Sequence, residues 1–294
     1  MTAVQLSQLA DISKPQYILT EVKKLFTCHY ESVHFESIKK NFSQIQNLFL
    51  GKMKGYRECN TEYHDLKHTL DTFLAVARLI DGYNLSAEKF DVQRASNLLK
   101  AALFHDTGYI QEDWDITGTG AKYTQEHVNR STYFVEKNAE RLGLDSEQVH
   151  SINSYIVCSH LGTDFEVLSF SSGSDRTAGA ILGTSDLLGQ MSDRIYLEKL
   201  LFLYYEFREA SLPGYNTEFD IIRKTLDFYE VVKQRLHTTF FDVFTYVRTH
   251  FLKRYNVDRN LYIDAIENNI NYVKKIIQDE STNFRDKLHR VNFK

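Results

Sequence analysis

The stretch LLKAALFHDTGY, residues 98–109, runs apolar for most of its length and then ends on a histidine beside an aspartate. A segment that reads as buried core should not finish on two ionisable side chains. An unpaired carboxylate costs several kcal/mol to bury, so such a group either has a cationic partner or titrates to neutral. The fold and the function both turn on what that partner is.

The histidines nearby give the first clue. Six of the eleven, His64, His68, His105, His127, His150 and His160, fall between residues 64 and 160. His64 and His68 are four apart, which on a helix beginning near Thr61 would place them on one face, one turn from each other. At about 100° per residue, Ala75 and Leu79 share the His68 face, while Leu70, Phe73, Leu74 and Ala77 form an apolar stripe nearly opposite. Such a helix is buried on both sides, one facing core and the other a site. His105–Asp106 ends the next buried helix, His160 follows the Val149/Ile152/Ile156 stripe, and Asp186 sits among Leu182, Leu187 and Leu188. Inward-facing imidazoles and carboxylates with no thiolate suit one or two divalent cations: Mn, Fe, Zn, Ni or Co, with Mg at an oxygen-richer position.

The rest of the chain reads as helices. Two lie in 15–50, joined near HYESVHFES, and others at 91–106 and 124–142. Asp145 and Gln148 form the signature of a capping box. A small-residue helix carries Ala178, Gly179, Ala180, Gly183, Ser185 and Gly189, followed by the aromatic segment IYLEKLLFLYYEFREA. Beyond Pro213–Gly214, three more helices are expected at about 218–236, 239–256 and 259–279. No strand pattern stands out, and two prolines and thirteen glycines in 294 residues fit a helical chain. The expectation is one all-α domain over 1–294, with a metal-binding core at about 55–195 and a C-terminal helical extension at about 196–294.

Composition excludes several classes. A net charge of −4 gives no reason to expect nucleic-acid or anionic-membrane binding. Three widely spaced cysteines, Cys28, Cys59 and Cys158, fit a reducing compartment. The first residues lack the basic start and apolar core of a secretory signal, and no run approaches the roughly 20 apolar residues of a membrane span. A soluble, cytoplasmic protein is expected, with no membrane partner.

The ordered series YHDLKH, AALFHDTGY, QEHVNRS, IVCSH and TSDLLGQMSD, over roughly residues 55–195, resembles the HD-domain superfamily of metal-dependent phosphohydrolases, in the branch described as predicted phosphohydrolases. The resemblance implies an HD-domain-like helical bundle with added N- and C-terminal helices. It implies that His68, His105, Asp106 and Asp186 hold one metal, and that His127 and His160 hold a second with Asp106 bridging. YHDLKH also resembles the YHxxxH motif of class I cyclic nucleotide phosphodiesterases, in which the histidine matching His64 protonates the leaving oxygen. The chain departs from those enzymes after the doublet, where HDTGY replaces HDxxHxG, and it lacks the GYP extension of cyclic-di-GMP hydrolases.

The resulting expectation is a hydrolase of a small phosphorylated substrate, a nucleotide or another phosphate ester. His64, Asp106 and Lys122 are the catalytic candidates, and Arg130, Gln190 and Arg194 the substrate-binding ones. Gln125, flanking His127 with Lys122 and Arg130, would hold phosphate oxygens, and Asp193 would line or support the pocket. Lys122 and Arg130 have a second reading as solvated surface residues. Two other functions use the same chain differently: a diiron oxygenase of the same superfamily, with the same six ligands, or a nucleotide-binding regulator without catalysis. His29, His34, His237, His250 and His289 show no partner pattern. The aromatic run Tyr196, Phe202, Tyr204, Tyr205 and Phe207 reads as helix packing or as the surface of a homodimer formed through the C-terminal helices.

Overall fold

The computed structural model describes residues 4–86, 88–279 and 283–288. They form twelve α-helices: α1 (Pro15–Thr27), α2 (Phe35–Phe49), α3 (Leu66–Ser86), α4 (Val92–Phe104), α5 (His127–Lys137), α6 (Ala139–Leu142), α7 (Ser146–Ile156), α8 (Gly173–Ser192), α9 (Tyr196–Glu209), α10 (Glu218–Gln234), α11 (Tyr246–Tyr255) and α12 (Leu261–Gln278). Among the described residues there is no strand, only two isolated bridges, Leu50 with Glu58 and Tyr56 with Glu112. The all-helical expectation holds. None of the described helices is long and apolar enough to cross a membrane.

Helix α3 is the centre of the bundle, with every residue from His68 to Tyr83 buried. Helices α1, α4, α8 and α11 all pack on it. Its start is set locally: the Asp65 carboxylate accepts the His68 amide at 2.8 Å, an N-cap bond that satisfies one of the free donors of the first turn. His64 therefore lies before the helix. The expected His64–His68 helical face is not formed, because Asp65 starts the helix later than a Thr61 start would.

Helix α8 lies against α3 through Gly189. A Cβ there would stand 3.2 Å from the Thr72 amide nitrogen, so glycine allows this approach without the α3 backbone having to shift. One turn earlier on the same helix is Asp186, which the close packing delivers to His68. The expected capping box at Asp145 and Gln148 is present and starts α7. That helix ends at Ile156, so His160 sits beyond it in extended backbone rather than on the helical stripe. The C-terminal helices pack directly on the preceding ones, α11 on α3 and α12 on α8.

Helix α4 buries every residue from Ala95 to Phe104, including Lys100, which is 1 % exposed. Burial pushes the Lys100 ammonium down to about 8, with the charge of Asp145 working the other way. A lysine whose folded pKa is depressed carries its full cost below that value, and the cost fades as pH rises towards the unfolded value near 10.5. Replacing Lys100 by Met should therefore stabilise the fold by about 1–3 kcal/mol at pH 7. Urea denaturation at pH 7 and pH 10 would check this, the gain shrinking at the higher pH.

Candidate metal centre

Four side chains, His68 on α3, Asp186 on α8 and His105 and Asp106 in the turn after α4, converge at the N-terminal end of α3. His68 Nε2 lies 3.3 Å from Asp106 Oδ2 and 3.0 Å from Asp186 Oδ1. His105 Nε2 lies 3.3 Å from Asp106 Oδ2, 3.6 Å from Asp186 Oδ1 and 3.4 Å from His68 Nε2. Ligand atoms about 2.1 Å from a common ion stand about 3.0 Å apart in octahedral and about 3.4 Å apart in tetrahedral coordination. Four of the five observed distances, 3.0–3.4 Å, fall in that range, and the His105–Asp186 distance of 3.6 Å lies just beyond it. His68, His105 and Asp106 are no more than 3 % exposed, and Asp106 Oδ2 is a buried oxygen with no hydrogen-bond donor. Such an orphan atom is rare in a folded core, and a cation would satisfy it.

The second nitrogens of the rings support this arrangement. His105 Nδ1 donates to the Ala102 carbonyl at 2.8 Å, and His127 Nδ1 to the Thr124 carbonyl at 2.7 Å. Each bond fixes the tautomer that leaves Nε2 with a lone pair, the usual outer support of a metal-bound imidazole. Without a metal, protons take its place. Burial opposes a charge on His68, but the carboxylates of Asp106 and Asp186 beside it outweigh that and push the imidazole up to about 10. Asp106 is held well below the usual carboxylate range, its burial overcome by the charges of His105 and His68.

His127 and His160 form a second locus. His127 Nε2 is 4.0 Å from Asp106 Oδ1, the oxygen opposite the one shared by His68 and His105. The His127 and His160 rings are 6.4 Å apart, centre to centre. Burial pushes His127 down to about 4, and burial and then Arg235 lower His160, so both imidazoles present neutral nitrogens. Arg235, in a π-helical turn after α10, holds the His160 loop by donating to the carbonyls of His160 and Leu161 at 3.1 Å each.

The HDTGY segment is held by α5. Ser131 Oγ donates to the His105 carbonyl at 2.6 Å and accepts from the Gly108 amide at 2.9 Å. A Cβ on Gly108 would run into the carbonyl of His127, so glycine here brings the doublet and His127 together. Tyr109 then packs its ring against two imidazoles, stacked on His64 at 4.2 Å and on His127 at 4.7 Å, the two imidazoles themselves being 6.2 Å apart. His64 Nδ1 donates to Glu206 Oε2 at 2.6 Å, and Glu206 Oε1 also accepts the Tyr63 amide at 2.8 Å. Its Nε2 lies 3.4 Å from the Tyr109 hydroxyl.

All of this opens on a cavity of about 570 Å³, lined on one wall by His64, His127, His160 and Asp186. Gln190 and Gln125 line it as expected. The Tyr63 hydroxyl donates to Gln190 Oε1 at 2.9 Å, which leaves the Gln190 amide hydrogens for a ligand.

Three other expectations are not met. The Lys122 ammonium is bound by Asp115 at 2.5 Å and the Thr117 carbonyl at 2.6 Å, outside the cavity lining. Arg130 stacks on Tyr123, its guanidinium 3.5 Å from the ring centre, and donates to the carbonyls of Gly108 and Ile110, so it braces the doublet turn. Arg194 is exposed beyond the end of α8 and does not line the cavity. Asp193 is a buried support that accepts Lys67 at 2.6 Å. The aromatic run divides: Tyr196 and Phe207 line the cavity, whereas Tyr204 and Tyr205 bond to Asn216 and Glu218. His150 is exposed. His289 lies outside the described residues.

A family model described as Npun_R2479-like matches residues 113–248, just under half of the chain. The match takes in His127, His160, Asp186 and Glu206 and begins after the doublet. No curated protein matches the sequence.

Proposed function

We propose that this chain is a metal-dependent hydrolase of phosphate esters with an HD-type centre. His68, His105, Asp106 and Asp186 would hold one divalent cation, and His127 and His160 a second beside the other oxygen of Asp106. The observation that carries this reading is the buried His68–His105–Asp106 cluster, in which the donor-less Asp106 Oδ2 lies 3.3 Å from both imidazoles and Asp186 reaches the same two rings. When bound, such ions supply an activated water and stabilise charge on phosphoryl oxygens.

The chain's own residues support the remaining steps. Glu206 fixes the His64 tautomer with hydrogen on Nδ1, so a proton carried on Nε2 faces the Tyr109 hydroxyl and the cavity. His64 is thereby placed to protonate a leaving oxygen. The Gln190 amide can donate to a substrate oxygen, and the apolar walls limit water around the reacting group. Phosphate-ester hydrolysis needs this proton delivery.

The direct test is metal analysis of the purified protein, followed by an ester screen with Mn2+ or Mg2+. Turnover that tracks bound metal is the expected result. A coloured, iron-loaded protein that consumes O2 and cleaves no ester would overturn the reading in favour of the oxygenase. His64→Asn should keep the metal and lower kcat by about 10²–10⁴-fold on an alkyl ester, and Glu206→Gln should act in the same direction with a smaller loss. Both losses should nearly vanish on a nitrophenyl ester, whose leaving group needs no proton. Equal losses on both esters would remove His64 from the acid role.

A further inference from the structure

The part of the cavity lining that comes from α9 and α10 is of a different chemistry. Leu200, Leu203, Phe207, Ile221 and Phe228 make it apolar and aromatic. It carries one cation, Lys224, which sits 4.4 Å from the Tyr215 ring centre and donates to the Gly214 carbonyl. No carboxylate pairs with Lys224 among the described residues. A cavity of about 570 Å³ is of a size that holds a ligand of drug-like dimensions. A bare phosphate or a short polyol phosphate would leave this wall in contact with water. An aromatic or similarly broad apolar body would cover it.

We propose, building on the hydrolase reading, that the substrate is an amphiphile: a phosphorylated group reacts beside His64 and Asp186, an aromatic or branched apolar body lies against Leu203 and Phe207, and a second anionic group meets Lys224. Each part has its own counterpart in the cavity. The His/Asp wall takes the reacting group, the apolar wall is buried by the body, and a lysine with only a carbonyl and a ring for company gains a charge-assisted partner. Arg130, Arg194 and Lys122 are engaged elsewhere or lie off the lining, so Lys224 supplies the cationic contact.

The test uses three uncleavable probes on the metal-loaded full chain, followed by calorimetry: methyl phosphonate, naphthylmethyl phosphonate, and the latter bearing a carboxylate on the far ring. Affinity should rise in that order, by about tenfold or more at each step. Leu203→Trp, which fills the apolar wall, should erase the naphthyl advantage while methyl phosphonate still binds. Lys224→Met should erase only the carboxylate increment. Equal affinity for the methyl and naphthyl probes, or a carboxylate increment that survives in Lys224→Met, would overturn the proposal. The expected ranking without turnover of any ester would uphold the cavity assignment and sink the hydrolase reading. Efficient turnover of small esters with no naphthyl preference would do the reverse.

Discussion

Replacing Asp106 by Asn should abolish both metal binding and turnover while leaving the fold intact. The substitution keeps the shape of the side chain and removes only its charge and one lone-pair set. Asp106 contributes to both parts of the centre, with Oδ2 facing His68 and His105 and Oδ1 facing His127. No other carboxylate reaches all three. A thermal-shift titration with Mn2+ separates the two effects: the wild type should melt higher with each rise in metal, and the variant should not respond. Proton release gives a second readout. Because the neighbouring carboxylates push His68 up to about 10 in the metal-free chain, a metal arriving near pH 7.5 must displace a proton. Calorimetry in two buffers of different ionisation enthalpy should show about one proton leaving per metal bound. Metal uptake with no buffer dependence would mean that the ion sits elsewhere.

The candidate ligands were legible because each announces itself locally. A polar residue that interrupts an apolar run is visible without a fold, and His68, His105–Asp106 and Asp186 are all of this kind. The helices were legible for the same reason, from apolar spacing and from caps such as Asp145. What was hidden depends on contacts across the bundle. Glu206 meets His64 from 142 positions away, and in the sequence it is one acid in an aromatic helix. Tyr109 lies inside the very stretch that drew attention, yet its stacking on both His64 and His127 exists only once three elements pack. Lys122 and Arg130 misled because nearness to His127 in sequence is not nearness in space. The carbonyls of Gly108 and Ile110 needed a donor, and Arg130 supplies it. His29 and His250 looked ordinary because their shared partner is Asp81, 52 and 169 positions away.

Breaking that cluster should cost the fold several kcal/mol. Asp81 has a fully buried side chain and accepts four hydrogen bonds: from His29 at 2.7 Å, from His250 at 2.7 Å, and from Arg254 at 2.6 and 3.0 Å. Replacing Asp81 by Asn turns one accepting oxygen into an NH2 group. In either orientation that group faces an Arg254 N–H together with a histidine, so donor meets donor and a partly buried guanidinium loses its counter-charge. A loss of about 3–5 kcal/mol is expected, measured by urea denaturation. Geometry alone does not produce this. Arg248 and Asp258 share a bidentate pair of similar lengths, 2.7 and 2.9 Å, but both are more than half exposed, and Asp258→Asn should leave the midpoint unchanged. The pH dependence can be signed. His250 donates Nδ1 to Asp81, and its Nε2 is buried without a partner, so a second proton would have nowhere to bond. Burial accordingly pushes His250 down to about 4, and its contribution is full above pH 6.5 and lost as pH falls towards 4. Asp81 itself is held below the usual carboxylate range, burial being overcome by His250, His29 and Arg254, so its own contribution is lost only in stronger acid. Wild type and Asp81→Asn should therefore weaken together between pH 6.5 and 4, with the gap between them intact. A gap that closed between pH 6 and 8 would mean that a histidine charge, and not Arg254, supplies the attraction. Because Asp81 lies about 20 Å along α3 from His68, the folded variant should still bind metal with wild-type affinity.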